Sequence, residues 1–224
     1  MTETKKKILI VEDHPIFRWG LSELINQEPD LTVCGEATDA AGVWKAIAQL
    51  NPDLIIADIT LENTDGIDLT KAVTRRHKTI PVLILSMHDQ FLYAERALHA
   101  GARGYIMKQE AMESVVTAIR QVLAGKIYLN DQVKDQILVN LADHPAGAGR
   151  APMDRLTNRE LEVFRMIGKG FSSREIASRL HLSIKTIGTY RERIKEKLNL
   201  KNANELVLHA VHWQKTGEIS IGTH

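Results

Sequence analysis

The chain has 224 residues, 44% of them apolar and 25% charged. Those proportions are ordinary for a globular protein and exclude a disordered tail, a collagen-like fibre and a disulfide-stapled miniprotein. The net charge is +1, from 29 Lys+Arg against 28 Asp+Glu, which taken whole speaks against a dedicated nucleic-acid binder.

The total conceals an asymmetry. Residues 1–149 carry 15 basic and 20 acidic side chains, a net of −5, whereas residues 150–224 carry 14 and 8, a net of +6. An acidic front and a basic back predict two parts with different partners. The single cysteine, Cys34, cannot form an internal disulfide, so a reducing cytoplasm is expected. It follows Leu31-Thr-Val and is expected to be a buried structural thiol. Ile8-Leu-Ile-Val11 is too short for a signal-peptide core. No run approaches the ~20 apolar residues of a membrane span, so no membrane partner is expected.

Short apolar runs open the chain: Ile8–Val11, Leu31–Val33, Leu54–Ala57, Val82–Leu85 and Gly104–Met107. Their brevity and β-branched content predict strands, and their continuous apolar character predicts burial on both faces, as in a parallel sheet. Between them lie helix-like stretches at Ile16–Gln27, Ala40–Leu50, Gly66–Arg76, Phe91–Ala100 and Met112–Leu123. The alternation predicts a doubly wound α/β domain, in which function collects at the carboxyl ends of the strands. Those ends hold Glu12-Asp13, Asp58, Ser86 and Lys108. Three carboxylates at one rim repel one another unless a hard divalent cation sits between them. Mg²⁺ prefers such oxygens and takes phosphate as a further ligand. A lysine and a hydroxyl nearby suit an anionic, phosphoryl-like group.

Residues 7–125 resemble a two-component receiver domain, a flavodoxin-like fold. The acidic pair closing strand one is matched by Glu12 and Asp13, and the phospho-accepting aspartate closing strand three by Asp58. The Ser/Thr closing strand four is matched by Ser86, the lysine after strand five by Lys108, and the aromatic three positions earlier by Tyr105. Of the Asp-x-x-Met-Pro-x-x-x-Gly turn, Asp58 and Gly66 are kept, while Leu61 and Glu62 replace Met-Pro. The resemblance implies an acyl phosphate on Asp58 and Mg²⁺ held by Glu12, Asp13, Asp58 and the Thr60 backbone carbonyl. It also implies a phosphoryl group bound by Lys108 and Ser86, with Tyr105 rotating inward as part of the switch. A sensor histidine kinase would be the donor. Apart from this self-phosphorylation and slow autodephosphorylation, no enzyme activity is expected. Thr60 and His88 stand where the family tunes hydrolysis. Other α/β chemistries fit less well. The segment after strand one, Asp13-His-Pro-Ile-Phe17, is no FMN phosphate loop, a P-loop lysine motif is missing, and strand one has no Asp-x-Asp pair of a haloacid-dehalogenase phosphatase. His14, before Pro15, is expected to open the first helix rather than act as a base.

A helix is expected over Asn130–Leu141, with Val133, Ile137, Leu138 and Leu141 on one face. His144-Pro-Ala-Gly-Ala-Gly-Arg-Ala-Pro152 reads as a flexible linker. The expected boundaries are therefore 1–128 for the receiver, 129–152 for linker helix and linker, and 153–224 for a second, all-α domain.

In that segment Thr157-Asn-Arg-Glu160 and Ser172-Ser-Arg-Glu175 are capping boxes, Ser183 suits a third cap, and Gly168 and Gly170 end the first helix. Four helices are expected, at about 158–168, 173–180, 184–198 and 203–213. Ile184, Ile187, Ile194 and Leu198 form an apolar stripe, and the opposite face is basic. Two short helices joined by the turn Leu180-His-Leu-Ser183 describe a helix-turn-helix.

Residues 156–211 resemble the LuxR/NarL-type DNA-binding domain. The carrying residues are Leu156, Thr157, Arg159 and Glu160; Glu175–Ala177; Ser183, Lys185, Thr186 and Ile187; and Ile194, Lys197 and Leu198. Tyr190 stands where a histidine is common. The resemblance places helix 184–198 in the major groove of a double-stranded DNA operator, with Lys185, Thr186, Thr189, Tyr190, Arg191, Arg193 and Lys197 as contact residues. It also implies a homodimer on phosphorylation, with Leu206, Val207, Ala210 and Val211 as the dimer face. The whole is expected to be a response regulator. A metal-dependent phosphatase with a helical accessory domain, and a DNA-binding protein with a passive receiver, are the alternatives.

Overall fold

Five strands alternate with five helices in the first part of the computed structural model, which describes residues 4–61, 64–87, 90–143, 152–180 and 182–216. In chain order these are β1 (Lys6–Val11), α1 (Pro15–Asn26), β2 (Leu31–Ala37), α2 (Ala40–Leu50), β3 (Leu54–Asp58), α3 (Gly66–Arg76), β4 (Val82–Ser86), α4 (Gln90–His99), β5 (Gly104–Met107) and α5 (Lys108–Leu123). The strands form one parallel sheet in the order β2-β1-β3-β4-β5. The fold is the expected flavodoxin-like α/β arrangement. β1 pairs with both β2 and β3, so the winding direction reverses between β1 and β3. That reversal opens a crevice at their carboxyl ends, where Glu12 and Asp58 emerge.

The period-2 alternation of a strand divides each run between two buried faces. Ile8 and Ile10 of β1, Leu54 and Ile56 of β3, and Leu83 and Leu85 of β4 share a core with Leu21 and Ile25 of α1 and Val115, Ile119 and Val122 of α5. Leu9, Val11, Ile55, Ala57 and Ile84 point the other way and are equally buried. β2 departs from the expected burial on both faces. It is an edge strand, and residues Thr32–Gly35 are half-buried. Its register against β1 slips between Ile8↔Val33 and Leu9↔Gly35, which leaves Cys34 at a bulge. Cys34 is thus half-buried rather than buried, and what burial it has pushes its thiol upward from the usual range.

Side-chain caps account for the helix starts that the sequence predicts well. Asp39 Oδ1 accepts from Gly42 N–H (2.8 Å) at α2, and Asp65 Oδ1 accepts from Ile67 N–H (2.8 Å) at α3. α5 begins at Lys108, four residues before the expected start. Its N-cap Met107 has no capping side chain, so no start signal marks the spot. His14 is the N-cap of α1 with Pro15 inside the first turn, as expected. α6 (Asp131–Asp143) follows and packs on α4. Val133 is buried, Ile137 is half-buried and Leu138 is 63% exposed, so the face expected to include Leu138 does not. The side chain of Leu141, the linker residues 144–151, and Glu62, His88 and His181 lie outside the described residues.

The chain divides into two compact units, Met1–Ala146 and Gly147–His224. Its contact with α4 counts α6 with the first of them. Among the described residues the second unit has a 3-10 turn (Pro152–Arg155) and four helices: α7 (Asn158–Gly168), α8 (Ser173–Arg179), α9 (Ile184–Leu198) and α10 (Ala203–Thr216). Both capping boxes are formed, and Ser183 Oγ accepts from Thr186 N–H (3.0 Å). Leu161, Phe164, Ile167, Ile176, Ala177, Ile187, Ile194, Leu206 and Ala210 make its core. The two glycines expected to end α7 do different things. Gly170 (φ +85°) is the left-handed residue of a Schellman motif, in which Gly170 N–H donates to Ile167 C=O and Phe171 N–H to Met166 C=O. Gly168 is the last residue of the helix, and a Cβ there would overlap the Ala210 carbonyl oxygen. It permits the close crossing of α7 and α10. No described helix is long and apolar enough to cross a membrane.

Candidate functional site

The rim of the first unit collects the nominated residues. Glu12 follows β1, Asp58 ends β3, Ser86 ends β4, and Lys108 opens α5 directly after β5. All four are buried. Lys108 Nζ stands 2.8 Å from Asp58 Oδ2 and 2.6 Å from Glu12 Oε2, and lies 4.9 Å over the Phe17 ring. Glu12, Asp13, His14 and Asp58 each bring one ligand atom within 4.8 Å of the others. His14 was not foreseen here. Its Nδ1 is 3.1 Å from Glu12 Oε1 and 2.9 Å from Asp13 Oδ1.

Burial is the largest influence on Asp58 and pushes its carboxyl up to about 6. Lys108 opposes that rise, Glu12 reinforces it, and a hydrogen bond from the Thr60 backbone opposes it. For Lys108, burial works against the charged form, but Asp58 and Glu12 together hold its ammonium above the usual range. The cluster therefore carries three carboxylates against one ammonium, a charge of −2 once all are ionised. That excess is what a divalent cation neutralises. Glu12 Oε2, 2.6 Å from Lys108 Nζ, and Asp13 Oδ1, 2.9 Å from His14 Nδ1, are buried oxygens with no further hydrogen bond among the described residues. Buried carboxylate oxygens left in this way fit a hard cation.

Gly66 explains part of the motif. A Cβ at this position would overlap the carbonyl oxygen of Asp58, so glycine lets the start of α3 abut the acceptor strand. Tyr105 is already inside, at 3% exposure, so the inward rotation expected of it is not a movement left to it in this state.

In the second unit Lys185, Thr186, Thr189, Tyr190 and Arg193 line one shallow depression on α9. Lys185, Thr189 and Arg193 are exposed. Two nominated residues stand apart from that face. Arg191 lies four residues after Ile187 and three before Ile194, both fully buried, which puts it on the inward flank of the helix. Lys197 Nζ is 2.6 Å from Glu160 Oε2, the carboxylate that closes the α7 capping box. Lys197 and the hydrogen bonds from Thr157 hold the Glu160 carboxyl below its usual range against the opposing effect of burial. The sequence signal was available, because two opposite charges stand in two motifs of one domain. The expected stripe on α9 holds at Ile187 and Ile194, but Ile184 is 51% exposed. Of the dimer candidates, Leu206 and Ala210 are core, Val211 is half-buried and Val207 is exposed, and Leu208, not nominated, is 69% exposed.

Comparison with known proteins agrees with both halves. Residues 8–120 match the response regulator receiver domain, and residues 154–210 match the bacterial regulatory proteins of the luxR family. The chain is a LuxR-family response regulator. Such regulators join a receiver to a DNA-binding transcription-regulating domain, and this one does so along its whole matched length. It is 32% identical over 209 residues to the oxygen regulatory protein NreC of Staphylococcus carnosus, covering 92% of this chain and 96% of that one. It is 33% identical over 205 residues to the response regulator GacA of Pseudomonas aeruginosa, covering 92% and 95%. Among solved structures it is similar to RcsB of Salmonella enterica serovar Typhimurium, bound to promoter P1flhDC in the presence of phosphomimetic BeF3⁻. That match has 26% identity and a TM-score of 0.57, and covers 93% of this response regulator and 100% of RcsB.

Proposed function

We propose that Asp58 accepts a phosphoryl group from a sensor histidine kinase, and that this modification controls dimerisation and operator binding by the second unit. The observation that carries the reading is the buried Glu12–Asp58–Lys108 cluster at the strand rim, in a chain whose other half is a helix-turn-helix. A carboxylate oxygen of Asp58 attacks phosphorus, and the bond from phosphorus to the donor breaks with its electron pair leaving on the donor. Glu12, Asp13, Asp58 and the Thr60 carbonyl would hold Mg²⁺, which when bound offsets charge on the transferring oxygens. Lys108 then exchanges its bond to the Asp58 carboxylate for one to a phosphoryl oxygen, and Ser86 donates its hydroxyl to another. Transfer requires Asp58 ionised, which at a carboxyl of about 6 is the main form at neutral pH.

In the second unit, Lys185, Thr189 and Arg193, with Thr186 and Tyr190 beside them, are the face for the major groove. Lysine and arginine neutralise phosphates, and arginine to guanine is the commonest specific base contact. Lys197 ties the helix to Glu160 of α7. The dimer face is Val207, Leu208 and Val211, which leave apolar surface outside the core. Incubating the full chain with acetyl phosphate and Mg²⁺ and reading its intact mass tests the first step. One phosphoryl group is expected on the wild type and none on Asp58→Asn; equal uptake by the variant refutes Asp58 as the acceptor.

A further inference from the structure

Beyond α5 the chain doubles back onto the sheet. Tyr128 forms a parallel bridge with Gly104 on the outer edge of β5. Its N–H donates to the Arg103 carbonyl, and its carbonyl accepts from Tyr105 N–H, both at 3.0 Å. Gly104 is the residue that allows this approach. A Cβ there would stand 2.7 Å from Leu83 Cδ1 in the core, 3.0 Å from the Tyr128 carbonyl oxygen and 3.2 Å from Tyr128 Cβ. Leu129 and Val133 are buried next in line, Asn130 Oδ1 accepts from Gln132 N–H (2.9 Å) at the entry to α6, and α6 packs on α4. The plain structural role of this segment is to cover an edge strand whose N–H and C=O groups would otherwise be open.

The same segment has a short route to Asp58. Lys108, held by Asp58 at 2.8 Å, directly follows the last residue of β5. Three residues earlier is Tyr105, whose amide is the one that Tyr128 holds. Ser86, at the end of β4, is in register with Met107 of β5. A new anionic group on Asp58 that draws Lys108 and Ser86 to itself therefore pulls on β5 from two sides. The outer edge of that strand carries Tyr128, and the adjoining helix α4 carries α6.

We propose that residues 128–137 are an intramolecular clasp that reads the state of Asp58. It is seated on β5 and α4 while Asp58 holds Lys108, and it is released when Asp58 carries a phosphoryl group, which lengthens the joint leading to the second unit. The inference rests on Asp58 as the phospho-acceptor, and its test separates the two claims. Amide hydrogen exchange is followed on the full chain with Mg²⁺, before and after treatment with acetyl phosphate, with intact mass reporting the phosphoryl group. Peptides covering 103–107 and 127–137 are expected to exchange at least about tenfold faster in the phosphorylated chain. They are expected not to change in Asp58→Asn treated alike. Tyr128→Pro, which removes the N–H that donates to the Arg103 carbonyl, is expected to show the faster exchange without phosphorylation. A phosphorylated chain whose 127–137 amides keep their original rate overturns the clasp and leaves Asp58's role intact, and so does a Tyr128→Pro chain that exchanges like wild type. A chain that never gains the phosphoryl mass overturns both claims.

Discussion

Burial keeps the Asp58 carboxyl at about 6 against an ordinary 3.8, and the sign of that displacement fixes a stability test. The folded state prefers the neutral carboxyl. Nothing is lost below about pH 4, and stability falls as pH rises from about 4 through about 6, where the buried group ionises. Asp58→Asn removes that cost. The variant is expected to be the more stable at pH 7 by about 1–3 kcal/mol, with the gap closing toward pH 4. Urea unfolding at several pH values reads it, and a gap independent of pH contradicts it. Added Mg²⁺ should raise the midpoint of the wild type and not that of the variant. The two lysines nominated on α9 should part company in the same way. Lys197→Met leaves the Glu160 carboxylate, 2% exposed, without its cation, and should cost the second unit about 1–3 kcal/mol in thermal unfolding. Lys185→Ala should leave stability within about 0.5 kcal/mol and weaken DNA binding evenly across sequences, reducing the salt slope by about 1. The reverse pattern would move Lys197 back to the DNA face.

The elements divide by how much of their cause is local. α2, α3, α7 and the start of α9 are marked by their own Asp, Thr and Ser caps, and their bounds are legible from the chain. The rim residues are legible for a related reason: a charge after an apolar run stands out, and the parallel topology brings all such ends together. α5 is not legible at its start, because nothing caps Met107 and its first residues serve the site. The bulge at Cys34, the Tyr128 bridge and the Glu160–Lys197 pair depend on partners distant in the chain, which no local pattern displays. Leu206 and Ala210 look like surplus apolar surface in the sequence because their partner helix, α7, is about 40 residues away in the chain. Gly168 belongs to this class, and it yields the element-scale prediction. Gly168→Ala forces α10 off α7 and should destabilise the second unit by about 1–3 kcal/mol, although alanine is the better helix former. Unfolding of the full chain followed at Trp213, which lies 5.8 Å from Phe164 between their ring centroids, checks this. An unchanged or raised midpoint would show that the crossing can relax.

At the scale of the molecule, the net charge of +1 is the sum of an acidic unit and a basic one. The acidic unit places part of its excess around Asp58, where it suits a divalent cation and a phosphoryl group. The basic unit presents part of its excess along α9, where it suits a nucleic-acid backbone. The central claim is that the first unit governs what the second one does to DNA. Genome-wide footprinting with the purified chain, with and without phosphorylation of Asp58, measures this directly. Discrete protected sites are predicted, with occupancy that rises on phosphorylation of the wild type and does not rise for Asp58→Asn. Protection that is absent, or that is identical for both proteins under both conditions, would contradict the account.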